Sequence, residues 1–269
     1  MRAAIWALVL SGCVDPAVVL FDGLEQTQVA EYVGHTGRAR LETGPWVITN
    51  GVPGHATSGF LSYGPEMSRV CARSMFGPCE MVTCQLLEPI GPYPRASEVV
   101  VSSPSSYFRL LPPFDGPDGG TLFALTTSGE PMWSTGESVL FVASDVDGGV
   151  PAWSSSVVGP DPITVLEPLA LADGGFEATR GSPLVVRWTG GRHEVIAQVG
   201  DAQCRAPASD GELTIPPEVF ARVGEWTNFR VDSVNQGAAD AGEWNVHLDL
   251  RWRGEFASGA LVEGRIYPR

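Results

Sequence analysis

The stretch WNVHLDLRW at residues 244–252 carries the clearest structural pattern in the chain. Apolar residues occupy every second position, and Asn, His, Asp and Arg fill the positions between them. Successive side chains of a strand point to opposite sides, so this alternation predicts a long strand with one buried and one solvated face. Shorter alternations at 184–188, 195–199 and 229–231 predict further strands, with Arg187, Arg230 and Asp232 facing outward.

Other short apolar runs are separated by clusters of Gly, Pro, Asp and Ser, a spacing typical of β-sandwiches and barrels. SVLFVAS at 138–144 is apolar on both faces, which predicts a central strand, and SEVVVSS at 97–103 and TLFALTT at 121–127 are further candidates. One short helix is predicted in IPPEVFARVG at 215–224. Pro217 suits its first turn, Gly224 suits the position after its end, and Val219, Phe220 and Val223 would face the sheet.

The length of 269 residues is that of one large or two ordinary domains. GPDPITVLEPLALADGG at 159–175 is rich in Pro and Gly, and the strand pattern restarts after it. We therefore predict an all-β chain of two β-sandwich-like domains with one short helix. An irregular β domain would occupy 29–160, a linker 161–175, and a sandwich of immunoglobulin-like size 176–269.

The charge of the chain argues against nucleic acid as a partner. The formal net charge is −14, and all 17 basic residues are arginine. Phosphate binding needs clustered positive charge. A mild basic cluster near the end, at Arg251, Arg253, Arg265 and Arg269, is interpreted as solvated strand faces and a terminus.

The first residues have the features of an export signal. The apolar run from Ala3 to Leu10 follows Arg2 and is too short to cross a bilayer. LSGC at 10–13 resembles the lipobox of bacterial lipoproteins. This resemblance implies a signal peptide at 1–12, a lipid on Cys13, and a lipidated N-terminus and tether at 13–28. Val14 follows Cys13 where Asp would signal inner-membrane retention, which favours an outer-membrane anchor with the protein periplasmic or surface-exposed.

Three other stretches resemble uncharacterised secreted β-rich lipoproteins of GC-rich Gram-negative bacteria. They are GPCEMVTC at 77–84, GESVLFVASDVDGGVPAW at 136–153 and CRAPASDGELTIPPEVF at 204–220. The resemblance implies a secreted β protein and carries no particular activity. The partners we expect are the membrane, through the lipid, and an envelope protein or glycan.

Four cysteines remain after Cys13, namely Cys71, Cys79, Cys84 and Cys204. An even number in an exported chain predicts disulfides. Each of the three possible full pairings joins Cys204 to one of the other three, which would link the two domains. If the domains are independent, Cys204 and one of the other three are unpaired. Zinc is disfavoured, because only the spacing from Cys79 to Cys84 suits a zinc site and no His lies nearby.

No sequence motif assigns a catalytic residue, a metal site or a cofactor. The four histidines, His35, His55, His193 and His247, belong to no H-E-x-x-H motif, and no Ser stands in G-x-S-x-G. The Asp-Gly clusters at 115–120, 145–148 and 209–212 are interpreted as turns, since 145–156 lacks the later ligands of a calcium loop.

Trp46, Trp133 and Trp153 adjoin Gly, Pro and Ser loops and are candidate ligand contacts, although anchoring of a loop to the core is the favoured interpretation for each. Together these patterns predict a lipid-anchored, non-catalytic cell-envelope β protein that acts as a binding or structural module. Two alternatives stay open: a secreted hydrolase with a site assembled from distant residues, and a calcium- or carbohydrate-binding module.

Overall fold

A computed structural model describes residues 17–21, 24–33, 35–48, 52–64, 67–89, 94–111, 122–128, 130–169, 176–179, 181–222, 227–257 and 263–268. This part of the chain is dominated by strands, which confirms the predicted all-β class. Its single α-helix, α1, spans Pro217–Phe220, and a 3₁₀ turn spans Ala208–Asp210. Within these residues, no helix has the length and apolar character needed to cross a bilayer.

One large sheet runs through the described part of the chain. Its main path, in spatial order, is β1 (Ala17–Phe21), β2 (Leu24–Val33), β5 (Met67–Phe76), β6 (Cys79–Pro89), β16 (Ala202–Pro207), β15 (Glu194–Val199), β18 (Thr227–Ala241), β19 (Trp244–Arg253), β3 (Thr36–Ile48), β4 (Val52–Tyr63) and β9 (Leu122–Ser128). Off this path, β13 (Phe176–Ala178) pairs with β21 (Glu263–Pro268), which also pairs with β18.

Two four-stranded sheets accompany the large one. The first has the order β11 (Trp153–Val158), β10 (Ser138–Ala143), β7 (Val99–Ser102) and β8 (Tyr107–Leu110). The second has the order β17 (Glu212–Ile215), β14 (Leu184–Gly190), β12 (Ile163–Glu167) and β20 (Glu255–Phe256).

The stretch 244–252 is strand β19, between β18 and β3 in the middle of the large sheet. Its predicted apolar face is confirmed, because the five alternating apolar side chains are all buried: Trp244, Val246, Leu248, Leu250 and Trp252. They belong to the first hydrophobic core, opposite apolar side chains of β7, β8, β10 and β11. This core is the interior of the first sandwich.

Two of the candidate ligand-contacting tryptophans lie inside this first core. Trp133 is fully buried, and its Nε1 donates a hydrogen bond to the carbonyl oxygen of Pro160 at 3.0 Å. Its ring approaches Gly159 so closely that a Cβ there would lie 2.2 Å from Trp133 Cδ1. Trp153 is also buried and donates to Tyr63 Oη at 3.0 Å. A ligand-contacting role for Trp133 and Trp153 is therefore wrong, because both rings fill the core and satisfy their N–H groups inside it.

The second core lies between the second small sheet and strands β15, β16 and β18 of the large sheet. Phe176 and Phe229 pack edge to face in it, with ring centroids 4.6 Å apart. Val219 and Phe220 of α1 are buried here as predicted, whereas Val223 and Gly224 lie outside the described residues. This core is the interior of a second sandwich.

The two sandwiches share strand β18. Phe229 and Val231 near its start belong to the second core, and Ala239 and Ala241 near its end belong to the first. All four have odd numbers on one strand, so both cores lie on the same side of the large sheet. The prediction of two sandwiches thus agrees with two cores, but a single long strand serves both of them.

The predicted linker and tether both contain strands. Within 161–175, β12 pairs with β14 because Ile163 and Val165 fill the second core. Within 13–28, β1 pairs with β2, whose apolar and β-branched residues favour extended structure. Most of the segment predicted as a tether is therefore strand, and only Val14, Asp15 and Pro16 lie between Cys13 and the start of β1.

The prediction that β10 is buried on both faces is wrong. Val139, Phe141 and Ala143 are buried, but Leu140 and Val142 are 42% and 40% exposed. The reason is that β10 belongs to a sheet whose inner side alone packs on the large sheet, so the other side meets solvent.

Candidate functional site

The polar face of β19 is the main departure from the sequence-based expectation. Asn245 and His247 are exposed as predicted, but Asp249 and Arg251 are buried. Arg251 was expected on a solvated face, yet it is only 2% exposed. Asp232 of β18, also predicted to face outward, is equally buried. Burial of these charges is tolerated because neighbouring strands supply opposite charges at bonding distance.

Asp249 lies at the centre of this group. Arg251 Nε donates to both carboxylate oxygens of Asp249 at 3.1 Å, and Arg251 Nη2 donates to Oδ2 at 2.9 Å. Arg40 Nε, from β3, donates to the same Oδ2 at 2.9 Å. Arg251 Nη1 lies 3.5 Å from Asp232 Oδ2 and so connects the two buried aspartates. Such charge-assisted contacts are the stronger class of hydrogen bonds.

Glu42 holds the second half of the group. Its Oε2 lies 3.0 Å from Arg230 Nη2 and 3.1 Å from Arg253 Nη2. Arg230 Nε donates in turn to Asp232 Oδ1 at 2.7 Å. We call the whole group the ion network. Its members are Arg40, Glu42, Arg230, Asp232, Asp249, Arg251 and Arg253.

Strand register brings the ion network together. In the parallel β19–β3 ladder, Asp249 lies opposite Arg40 and Arg251 opposite Glu42. In the antiparallel β18–β19 ladder, Asp232 lies opposite Arg253. A shift of one residue would turn these charges to the other side of the sheet, into the apolar cores. The ion network therefore depends on one register of three strands that are far apart in sequence.

The pKa values of the carboxyl groups follow from burial and from these arginines. Burial alone would raise the pKa of Glu42, but Arg230 and Arg253 outweigh it and hold that pKa below its ordinary value. The same balance, with Arg251 as the main neighbour, lowers the pKa of Asp249. Asp232 is the exception, because complete burial raises its pKa despite Arg230 and Arg251.

An open pocket of about 410 Å³ adjoins the ion network, lined among the described residues by Gln198, Asn228, Phe229 and Arg230. Gln198 and Arg230 are register partners on β15 and β18. Arg230 Nε donates to Asp232 Oδ1, and its Nη2 lies 3.0 Å from Glu42 Oε2. A guanidinium edge beside two carboxamides offers donors for a carboxylate and polar groups for hydroxyls.

The cysteines confirm a bridge between the two halves of the sequence. Cys79 on β6 and Cys204 on β16 are register partners and form a disulfide, with an S–S distance of 2.02 Å and Cα atoms 3.8 Å apart. Cys71 is also disulfide-bonded and lies opposite Cys84 in the β5–β6 register. The side chain of Cys84 and all of Cys13 lie outside the described residues.

The histidines occupy four different environments. His35 packs edge-on against Trp244, with centroids 4.9 Å apart, and its Nδ1 lies 3.9 Å from Glu243 Oε2. His55 packs edge-on against Trp252 at 6.1 Å. His193 is exposed in a turn with φ of 69°, and His247 is exposed on β19.

Two predicted Asp-Gly turns are present. Gly148 and Gly211 both adopt positive φ, and the N–H of Gly149 donates to the carbonyl oxygen of Val146 at 2.8 Å. The cluster at 115–120 lies outside the described residues, as does the side chain of Trp46 on β3. In the part of the chain that the structure describes, no three His, Cys, Asp or Glu side chains are grouped to hold a metal ion.

Comparisons of this chain with protein-family models, with curated proteins and with solved structures found no match. The ion network and the adjoining pocket are therefore interpreted from their own geometry. One sequence signal for them exists. Opposite charges are two residues apart in RLE at 40–42, RVD at 230–232 and DLR at 249–251. These three segments lie side by side on the neighbouring strands β3, β18 and β19.

Replacing Asp249 with Asn will lower the free energy of unfolding at pH 7 by about 3–5 kcal/mol, because Arg40 and Arg251 lose a buried counter-charge. The exposed pair of Arg187 with Glu212 is the control, and Glu212→Gln will change little. Urea unfolding followed by tryptophan fluorescence measures both.

The same variant has a defined pH dependence. The pKa of Asp249 is lowered in the folded protein, so its contribution to stability is complete above its ordinary pKa and is lost as the pH falls through the lowered value. The difference between wild type and Asp249→Asn will therefore shrink below about pH 4. A difference that stays constant from pH 7 to pH 3 would contradict the assigned ion network.

Proposed function

We propose that this protein is a lipid-anchored, non-catalytic β protein of the cell envelope that acts as a binding module. The observation that carries the proposal is the buried disulfide between Cys79 and Cys204. Disulfides persist in oxidising compartments such as the periplasm and the cell surface and are rare in the cytosol. Export to such a compartment would explain both this disulfide and the LSGC sequence at 10–13.

The proposed anchor is a lipid on Cys13, and the proposed site of attachment is the outer membrane. An apolar run after Arg2, two small residues and then Cys13 occur in the order that the lipobox resemblance requires. One acyl chain holds a protein only marginally, whereas several chains on one residue, or a chain with a second contact, hold it stably.

The proposed ligand site is the pocket beside Arg230. Its open volume of about 410 Å³ is within the usual range for small-molecule sites. Arg230 is held in place by Asp232 and Glu42, so its position is fixed before a ligand arrives. The Arg230 guanidinium would donate to a carboxylate, while Gln198 and Asn228 would bond to hydroxyl groups. These groups suit an acidic sugar, which agrees with the envelope glycan expected as a partner.

Replacing Cys13 with Ser will release the protein from the membrane fraction of a Gram-negative host, and the variant will migrate as the unprocessed or unlipidated form. The change removes the only thiol that the lipobox resemblance assigns to lipid attachment. Cell fractionation followed by immunoblotting measures it. A variant that stays in the membrane fraction with unchanged migration would overturn the proposed anchor.

D-Glucuronate will bind the purified protein at low salt, and D-glucose, its neutral counterpart, will bind more weakly. Asn228→Ala will weaken glucuronate binding by roughly fivefold, the loss expected for one hydrogen bond. Asn245→Ala, an exposed asparagine of β19 outside the pocket, is the matched control and will bind as wild type does.

Isothermal titration calorimetry at two salt concentrations measures these affinities, and higher salt will weaken the glucuronate complex because an exposed ion pair is screened. If glucuronate does not bind, or binds equally well to the Asn228 variant, the pocket is not a site for acidic sugars.

A further inference from the structure

The large sheet begins very close to the proposed lipid. Strand β1 starts at Ala17, and only Val14, Asp15 and Pro16 separate it from Cys13. Four residues of fully extended chain span at most about 14 Å. A lipid on Cys13 would therefore keep the β1 end of the sheet within that distance of the bilayer surface, with no long tether between them.

The strands next to this point form an arm of the large sheet. The N-terminal arm consists of β1, β2, β5 and β6. It joins the rest of the sheet where β6 meets β16, through a ladder of three residue pairs that includes the Cys79–Cys204 disulfide. On the body side, Arg222 stacks over Phe76 with its guanidinium carbon 5.1 Å from the ring centroid. The disulfide fixes the arm to the two sandwiches, so the lipid would also orient the whole protein.

Among the described side chains of the arm, two apolar residues are exposed on one face of β5 and β6. Met75 is 65% exposed and Val82 is 38% exposed. The β5–β6 register sets Met75 opposite Glu80 and Arg73 opposite Val82, so these residues share one face of the sheet. The alternate residues Phe76 and Cys79 turn the other way, toward the second core. Cys71, on the same face, is fully buried, so the exposed part is the end of this face with Met75 and Val82, on the side of the sheet opposite the second core.

This face is also near the start of β1. Ala17 lies opposite Gln28, and Gln28 lies opposite Ala72, so Ala17 and Ala72 occupy the same row of the sheet. Strand β5 is two strand spacings, or about 10 Å, from β1, and Met75 lies three residues, or about 10 Å, farther along it. Met75 is then roughly 15 Å from Ala17.

We propose that the exposed face of the N-terminal arm, with Met75 and Val82, rests on the surface of the lipid bilayer. This inference rests on the proposed lipid at Cys13 and adds a second contact to it. The partner is a lipid surface because the short connection from Cys13 holds the arm there. Apolar side chains flanked by a charged pair suit the interface, where Arg73 and Glu80 keep their charges among headgroups while Met75 and Val82 enter the boundary with the acyl chains.

Hydroxyl-radical footprinting with mass spectrometry tests this contact, since methionine is readily oxidised where it is exposed. The lipidated full chain in phosphatidylcholine nanodiscs is compared with the soluble Cys13→Ser protein. Oxidation of Met75 will fall about threefold or more on the bilayer. Tyr107, 71% exposed on the first small sheet, is the internal control and will react equally in both samples.

A matched pair of variants separates contact from general shielding. Val82→Asp places a charge in the proposed interface and will restore oxidation of Met75 in nanodiscs. Val142→Asp changes an equally exposed valine of the first small sheet, 40% against 38%, and will leave Met75 protected. The thermal midpoints of both variants check that they remain folded.

The outcomes distinguish the two proposals. Lipid on Cys13, read from the mass of the N-terminal peptide, together with equal oxidation of Met75 in both samples overturns the membrane contact alone. Equal protection of Met75 and Tyr107 also overturns it, because the whole protein would then be shielded. The absence of lipid on Cys13 overturns both the anchor and the inference that rests on it.

Discussion

The antiparallel pairing of β18 with β19 is the constraint on which the rest of the structure depends. β18 contributes Phe229 and Val231 to one core and Ala239 and Ala241 to the other, while β19 contributes the five alternating apolar residues that fill the first core. The same pairing brings Asp232, Asp249, Arg251 and Arg253 together on the opposite side of the sheet. A change in this register would therefore disturb both cores and the ion network at once.

The ion network is better evidence for one specific pairing of strands than for a high stability of the fold. Taking several charges out of water costs free energy that their mutual attraction offsets only when the geometry is good. The geometry of the ion network meets this condition. Asp249 accepts hydrogen bonds from both Arg40 and Arg251, and Glu42 lies between Arg230 and Arg253. Apolar residues could stabilise such a site equally well. We infer that the charges select one pairing of β3, β18 and β19, and that they also fix Arg230 at the edge of the pocket.

Much of the fold could be predicted from local sequence, and the candidate site could not. Alternation predicts the buried side of β19 correctly because burial of that side depends on one strand's own pattern. It fails for Asp249 and Arg251, because their burial depends on Arg40 and Asp232, which lie far away in the sequence. The same limit explains why Trp133 and Trp153 were candidate ligand contacts. Their neighbouring Gly, Pro and Ser residues suggest exposed loops, but the N–H groups of both rings donate hydrogen bonds inside the core. The cysteine count predicted that Cys204 bonds to Cys71, Cys79 or Cys84 if all four cysteines are paired, and it left open both which partner is used and whether Cys204 is unpaired.

The sharing of strands by the two sandwiches is the central claim, and differential scanning calorimetry of the disulfide-intact protein tests it most directly. If β18 belongs to both cores, unfolding of one sandwich removes a strand from the other, so neither sandwich can unfold alone. We then expect one transition in which the calorimetric and van't Hoff enthalpies agree, as they do for a single cooperative unit. Two separate transitions, each with its own enthalpy, would contradict the shared sheet and would restore two independent domains.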